Sequence, residues 1–294
     1  MSSSSAHPGI VVGVDGSPQS DAAVEWAVRA AALRGVALVL VHALTDPSAT
    51  AWLDVPLPED YWESRRKTAE VLLDDATRIA RGALPVTQSL TVDRALVTGS
   101  PRAVLVDMSE HADMVVVGCR GLRAIQRAVL GSVSAGLVHH ARCPVAVVRE
   151  APSEDLREAP ILVGIDGSPV SERAVAIAFD EASRRGVDLV ALHTWLESTD
   201  DFIGVGWPDV REQADEILAE RLAGWQQRYP DVSVHRVVAM DNPIRQLLEL
   251  SGSAQLMVVG SHGRGGLVGL LLGSVSSAVV QSARIPVIVA RSRP

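Results

Sequence analysis

Two stretches of this chain hold the residue types that grip an anion. Residues 257–276 read MVVGSHGRGGLVGLLLGSVS, and residues 115–134 read VVVGCRGLRAIQRAVLGSVS. In each, a short apolar run ends at a glycine (Gly118, Gly260) and a second glycine follows (Gly121, Gly263). Nine residues later a Gly-Ser pair, Gly131-Ser132 or Gly273-Ser274, opens the next segment. Glycine lacks a Cβ, so it reaches positive φ and lets backbone N–H groups approach a ligand. Gly118, Gly121, Gly260 and Gly263 can each take positive φ in this way. A Gly-Ser pair at a helix start exposes N–H groups without intrahelical partners, carrying about half a positive charge. Backbone of this kind attracts phosphate. Ser132, Ser134, Ser274 and Ser276 would add hydroxyl donors to the rim, and Arg120, Arg123 and Arg127 would offset phosphate charge. The plainer reading is a tight strand-to-helix turn, because short glycine patterns recur without ligands.

The elements that must position these loops are punctuated clearly, and they occur twice. Residues 10–44 align without a gap with residues 161–195, and later segments align at a second constant offset, so the first copy carries nine extra residues after its second strand. Such self-similarity marks a duplicated unit. In the first copy, Ile10 to Val14 is a short β-branched run that reads as a strand buried on both faces. Ser17 and Pro18 then cap and open a helix that stops at Gly35. A second strand spans 37–42, a helix spans about 60–81, and the alternation in VTQSLTVD (86–93) predicts a third strand. Ser100 and Pro101 open another helix, 114–118 is the fourth strand, 132–142 the last helix and 145–149 the fifth strand. Strands alternating with helices imply right-handed crossovers and a parallel sheet covered on both sides. In such sheets ligands sit at the carboxyl ends of the strands, where both glycine loops fall. The expected layout is a disordered stretch at 1–9, a domain at 10–150, a linker at 151–159 and a second domain at 160–294.

Composition excludes several classes. The 294 residues suit two domains of about 150, and 47% hydrophobic with 21% charged residues is ordinary for a folded protein. With 35 acidic against 27 basic residues the formal charge is −8, which repels nucleic acid. The one lysine, Lys67, lies in a helical run away from any glycine loop, so a Walker A loop is excluded. Cys119 and Cys143 are too few for a disulfide framework and match no zinc spacing. No run approaches a membrane span and no leader pattern opens the chain, so a cytoplasmic protein without a membrane partner is expected. The tryptophans read as core or interface anchors rather than a cofactor box. His42 and His193, each ending a second strand, read as structural histidines.

The paired pattern Gly-x-x-Gly, nine residues, Gly-Ser resembles the ATP-binding signature of the universal stress proteins. GVDGS and GIDGS after strand one, and CPVAVV and IPVIVA near the ends of the copies, strengthen a match covering nearly the whole chain. The tandem layout is similar to that of actinobacterial members. The resemblance implies an α/β fold of two five-stranded parallel sheets, each of order 3-2-1-4-5 with helices on both faces. Adenine would lie near the ends of strands one and two, by Asp15 and Val41 and by Asp166 and Leu192, with Gly13 and Gly164 beside them. Phosphate would fall to Gly118, Gly121, Gly131, Ser132, Val133 and Ser134, and to Gly260, Gly263, Gly273, Ser274, Val275 and Ser276. The loop residues Cys119 and Arg120, and Ser261, His262, Arg264, Gly265 and Gly266, belong to the same cofactor-binding set. Asp15 and Asp166 have two readings, ligand contact or turn cap, and either would hold them near a magnesium ion bridging the phosphates. The first copy continues as GLRAIQRA where the second has GRGG, so the second site is expected to bind ATP more tightly.

Neither loop offers an evident base for phosphoryl transfer, which needs charge neutralisation and a positioned nucleophile. The expectation is a nucleotide-dependent regulator of stress or growth arrest with at most slow ATP hydrolysis, acting on an unknown protein partner. One alternative is an ATP-using enzyme, an ATPase or an adenylate-forming transferase; the latter usually carries an SGGxDS-like loop where this chain has GVDGSP. Another is a flavoprotein-like electron-transfer module. Relatives pair through the final strand, so VAVV and VIVA are expected at sheet edges that join domains and pair chains into a homodimer.

Overall fold

The computed structural model describes residues 9–45, 59–84, 89–120, 130–150, 154–195, 207–263 and 272–291, with only the backbone of 207–210. The chain divides into two compact units between residues 151 and 152. In unit 1 the elements are β1 (Ile10–Gly13), α1 (Pro18–Arg34), β2 (Leu38–Leu44), α2 (Glu59–Gly82), β3 (Val92–Thr98), α3 (Pro101–Met108), β4 (Met114–Gly118), α4 (Ser132–His140) and β5 (Val145–Val148). Unit 2 repeats the series as β6 (Ile161–Ile165), α5 (Pro169–Arg185), β7 (Leu189–Trp195), α6 (Trp207–Arg228), β8 (Val234–Met240), α7 (Pro243–Leu250), β9 (Leu256–Gly260), α8 (Ser274–Ser282) and β10 (Val287–Ala290).

Every strand pairing within a unit is parallel, in the order β3-β2-β1-β4-β5 and β8-β7-β6-β9-β10. β1 is central, with Ile10 opposite both Leu38 and Met114. Helices α1 and α2 pack on one face, and α3 and α4 on the other. Ile10, Val11 and Val12 are therefore wholly buried; each such side chain contributes about 1.5–3 kcal/mol relative to exposure. The chain leaves β1 toward β2 but returns from β3 to β4 on the opposite side, which opens a crevice at the carboxyl ends of β1 and β4.

The expected caps are in place. Ser17 accepts from the Ser20 N–H at 3.2 Å and Gly35 ends α1 at φ 66°, and Ser168 and Gly186 repeat both devices. Two expectations need correction. The third strand runs over Val92–Thr98 rather than 86–93, because seven residues of β2 pair with it from Leu38↔Val92 to Leu44↔Thr98. Its alternation continues past Asp93 into an exposed edge strand, where polar residues no longer mark an end. The second correction concerns the loop glycines. Gly118, Gly260 and Gly263 do not adopt positive φ; among the described residues the left-handed glycines include Gly16 and Gly167, in the turns after β1 and β6. Gly118 is required by packing instead: a Cβ there would lie 2.8 Å from the backbone carbon of Gln19, where the first turn of α1 crosses β4. Gly121 lies outside the described residues.

Unit 2 carries a buried polar network. Glu181 is completely buried and pairs with Arg185 Nε at 2.9 Å. The same guanidinium donates to Gln255 Oε1 at 3.1 Å, and Gln255 Nε2 donates to the carbonyls of Arg157 and Ala159 at 2.8 and 2.6 Å. The segment entering β6 is thereby tied to the core of its unit.

Candidate functional site

The crevice of unit 1 is built around two short turns. After β1, Asp15 Oδ1 accepts from the Ser17 N–H at 3.0 Å and from Ser17 Oγ at 2.6 Å, while the Asp15 N–H donates to Ser20 Oγ at 3.2 Å. This is an Asx turn, the conformation that Asp favours on its own account. Gly16 is left-handed at φ 78°, and a side chain there would collide with Leu72 of α2. The wall that α2 forms thus rests directly on this turn. His42 Nδ1 lies 2.7 Å from the Val14 carbonyl. A carbonyl only accepts, so Nδ1 carries the proton and the ring is held as a structural strap. His193 repeats the contact to Ile165 at 2.8 Å.

The glycine loop is closed at its base. Cys119 N–H donates to Val148 O at 2.8 Å, and the Cys119 carbonyl accepts from the Gly131 N–H at 2.9 Å and from Ser134 Oγ at 3.0 Å. The loop therefore leaves and re-enters the sheet at one point. Gly131 then caps α4 without a side-chain bond, and the first bond inside the helix is Ala135 N–H to Gly131 O at 2.9 Å. The amides of Ser132, Val133 and Ser134 precede that bond and have no helical acceptor. The hydroxyl expectation divides at this point. Ser132 is exposed on the rim, whereas Ser134 is only 2% exposed and spends its proton on loop carbonyls. Ser134 is a staple of the loop base, offering a ligand its amide alone.

These parts line one cleft of about 1130 Å³. Of the residues expected in unit 1, Gly13, Asp15, Val41, Gly118, Arg120, Gly131, Ser132, Val133 and Ser134 all line it. Cys119 does not belong to the described lining; its side chain is 2% exposed, and burial pushes the thiol up against the opposing charges of Arg149 and Arg120. Sequence reasoning missed a whole wall: Ser64, Arg65, Thr68 and Leu72 from α2, and Ser100, Pro101 and Arg102 at the start of α3. Only the Ser-Pro helix opening hinted at it. Arg65, Arg102 and Arg120 face a single lining carboxylate, Asp15, among the described residues, so the cleft is locally cationic in a chain of charge −8.

Unit 2 repeats the frame. Asp166 Oδ1 accepts from Ser168 N–H at 2.9 Å, Ser261 N–H donates to Ala290 O at 3.0 Å, and Gly273 N–H donates to Ser261 O at 2.8 Å. Ser276, nearly buried, donates its hydroxyl to the Gly260 carbonyl, so it too is a staple while Ser274 stays exposed. Gly273 caps α8, placing Ser274 and Val275 at the helix start. A Cβ on Gly263 would strike the Asp166 carboxylate, so that glycine admits the turn residue after β6. Gly164 lies against Leu247, and Leu192 is buried in β7. His262 Nδ1 sits 3.1 Å from Ser261 Oγ. Arg264, Gly265 and Gly266 lie outside the described residues, as do Arg123 and Arg127.

Among the described residues no group of three His, Cys, Asp or Glu side chains is placed to hold a metal, and no helix is long and apolar enough to cross a membrane. The arrangement suits a ligand that brings its own negative charge to backbone amides and arginines. Comparison with known proteins agrees with the duplicated frame. The universal stress protein family matches residues 9–149 and again 159–291. The chain is 50% identical to a universal stress protein of Mycobacterium tuberculosis over 99% of both chains. It is 48% identical to one of Mycolicibacterium smegmatis over the full length of each. A crystal structure of a universal stress protein from Archaeoglobus fulgidus covers 98% of this chain and 99% of its own at a TM-score of 0.73, with 21% identity. Two full-length family matches on two matching folds place the chain in the universal stress protein family, as a tandem pair of its domains.

Proposed function

We propose that both units bind adenine nucleotides, ATP in particular, and that the protein is a nucleotide-dependent regulator of the stress or growth-arrest response with at most slow hydrolysis. The carrying observation is the unit 1 cleft, where three unpaired amides at the start of α4 and three arginine side chains converge at the carboxyl ends of β1 and β4. Phosphates would lie on Gly131, Ser132, Val133 and Ser134 beside Arg120, and the adenosine would lie toward Asp15 and Val41. In unit 2 the corresponding set is Gly273 to Ser276 with Gly260, Ser261, His262 and Gly263, and Asp166 and Leu192. Asp15 supplies the one carboxylate of the described lining, which suits a magnesium ion held mostly by phosphates and water.

Slow chemistry is supported by the engagement of Asp15, the one carboxylate of the described lining, whose Oδ1 accepts from the Ser17 amide and hydroxyl. The direct test is mass analysis of the small molecule released on denaturing freshly purified protein, followed by an ATP turnover assay. Adenine nucleotide release with turnover well below about 1 s⁻¹ is expected; sustained faster cleavage would make the protein an enzyme, and a released flavin would replace the reading altogether. The same reading puts the protein in the cytoplasm and pairs two chains through sheet-edge strands. Sedimentation at micromolar concentration would then show a dimer, and a strict monomer with and without ATP would refute that pairing.

A further inference from the structure

Helix α4 has a glycine in its buried middle turn, Gly136, although glycine is the poorest ordinary helix former. The vacant space is occupied. A Cβ on Gly136 would run into Arg102 Cδ and come within 2.6 Å of its Cγ, so the stem of Arg102 lies across α4 where the side chain is missing. Arg102 is the second residue of α3 and lines the cleft together with Ser132 and Ser134, one helical turn ahead of Gly136. No ion pair or hydrogen bond engages its guanidinium among the described residues. Arg65, by contrast, donates to the Tyr61 hydroxyl at 3.1 Å and lies over its ring. At the equivalent positions unit 2 has Ile244 and Ala278. Arginine with glycine in one unit corresponds to isoleucine with alanine in the other, and Arg120 likewise corresponds to His262.

We propose that Arg102, seated on Gly136, is a specificity-determining residue of the unit 1 site. Its guanidinium reads the distal charge of a bound nucleotide, so unit 1 ranks nucleoside triphosphates well above monophosphates while unit 2 ranks them less steeply. The inference rests on the nucleotide reading of the cleft. Amides at a helix start accept any phosphate, whereas a guanidinium fork adds an attraction that grows with the number of anionic oxygens within reach. The long stem is held from below by α4, so little freedom remains to be lost on binding.

Site-resolved photolabelling of the full-length protein tests this. 8-Azido-ATP and 8-azido-AMP are titrated, and labelled peptides are assigned to unit 1 or unit 2 by mass. In Arg102→Met the half-saturating concentration of the triphosphate at unit 1 should rise about tenfold, the size of one charge-assisted contact. That of the monophosphate should change less than about twofold, and unit 2 labelling should stay constant. Arg102→Lys should keep part of the preference. Gly136→Ala should reproduce the loss with the melting temperature unchanged or raised, because the new methyl group displaces the arginine stem while improving the helix. The double substitution Ile244→Arg with Ala278→Gly should install the preference in unit 2. An unchanged triphosphate-to-monophosphate ratio in Arg102→Met, or equal weakening of both ligands, would overturn the role of Arg102 and leave nucleotide binding standing. Labelling of the wild type by neither nucleotide would overturn the nucleotide reading itself.

Discussion

The two units keep the same loop base and differ in what surrounds it. Gly131 bonds back to Cys119 at 2.9 Å and Gly273 to Ser261 at 2.8 Å, although one partner is a cysteine and the other a serine. The closure uses backbone, so the side chain at that position is free to change. The same holds for the Asx turns of Asp15 and Asp166 and the histidine straps of His42 and His193. The walls, by contrast, diverge. Asn242 caps α7 by accepting from Ile244 and Arg245 N–H at 2.9 and 3.4 Å, while Ser100 makes no such bond to α3. A start of α3 left without its side-chain cap, facing a cleft, is better suited to an anion. Among the described residues, the differences between the sites therefore lie in α3 and the arginines rather than in Gly118 and Gly131 or their counterparts Gly260 and Gly273.

The core network shows the same contrast on the side of stability. Where unit 2 has Glu181, Arg185 and Gln255, unit 1 has Ala30, Arg34 and Asp113, so the buried carboxylate has no counterpart on the helix, and Arg34 donates to the Ala30 carbonyl at 3.1 Å. Removing one member of a buried ion pair leaves the other charge uncompensated, at a cost of about 3–5 kcal/mol. Glu181→Ala should therefore unfold unit 2 selectively in urea, visible through Trp225, which packs on Phe179 of α5. Replacing Glu181 and Arg185 together by methionine should recover most of the loss. If Glu181→Ala and the double variant lost equal stability, packing rather than charge would be the cause.

A smaller effect separates the two strand-end glycines. An added Cβ at Gly118 would lie 2.8 Å from Gln19 backbone, whereas at Gly260 the nearest atoms, in Val170 and Ser171, are 3.3 Å away. Gly118→Ala should cost about 1–3 kcal/mol, in the range of overpacking, and Gly260→Ala clearly less, measured by urea midpoints. Equal midpoints would show that α1 and α5 give way alike. The comparison also limits what these variants say about ATP affinity, because Gly118→Ala would weaken binding through the fold alone.

How far the sequence could be read follows from where each signal resides. Caps, stops and the strand-loop-helix frame are local, so Ser17, Pro18 and Gly35 announce themselves, and duplication repeats them at Ser168, Pro169 and Gly186. The order of strands came from resemblance, since parallel pairing leaves no local mark. In the sequence Gly118 suggests backbone freedom, whereas in the fold it is required by a helix crossing at close range, a contact between distant segments. The α2 wall of the cleft was hidden for the same reason. Glu181 and Arg185, four apart on a helix, have the spacing of an ordinary surface pair, and nothing near them in sequence reveals that Glu181 is wholly buried or that Gln255 joins them.

The gentlest test of the comparison uses the edge strands, where both units repeat an arginine–aspartate pair between strand and helix. Arg236 of β8 holds Asp215 of α6 in a fork, Nε to Oδ1 and the terminal nitrogen to Oδ2, both at 3.0 Å; Arg94 of β3 pairs with Asp74 of α2 in unit 1. The Arg236 hydrogen bonds hold the Asp215 carboxyl below the usual carboxylate range, against a small opposing effect of burial. A carboxyl lowered on folding contributes stability above its unfolded pKa, about 3.9, and loses it as pH falls through the folded value. With side chains 35% and 41% exposed, solvent screens the pair, so Asp215→Asn should cost only about 0.2–1 kcal/mol at neutral pH. The difference from wild type should shrink in high salt, begin to narrow below about pH 4, and close as pH falls through the lower folded pKa, where the wild-type carboxyl takes up its proton. A deficit that persisted unchanged to pH 3 would mean that the fork acts through its packing on α6, and the parallel with Arg94 and Asp74 would then be one of shape rather than charge.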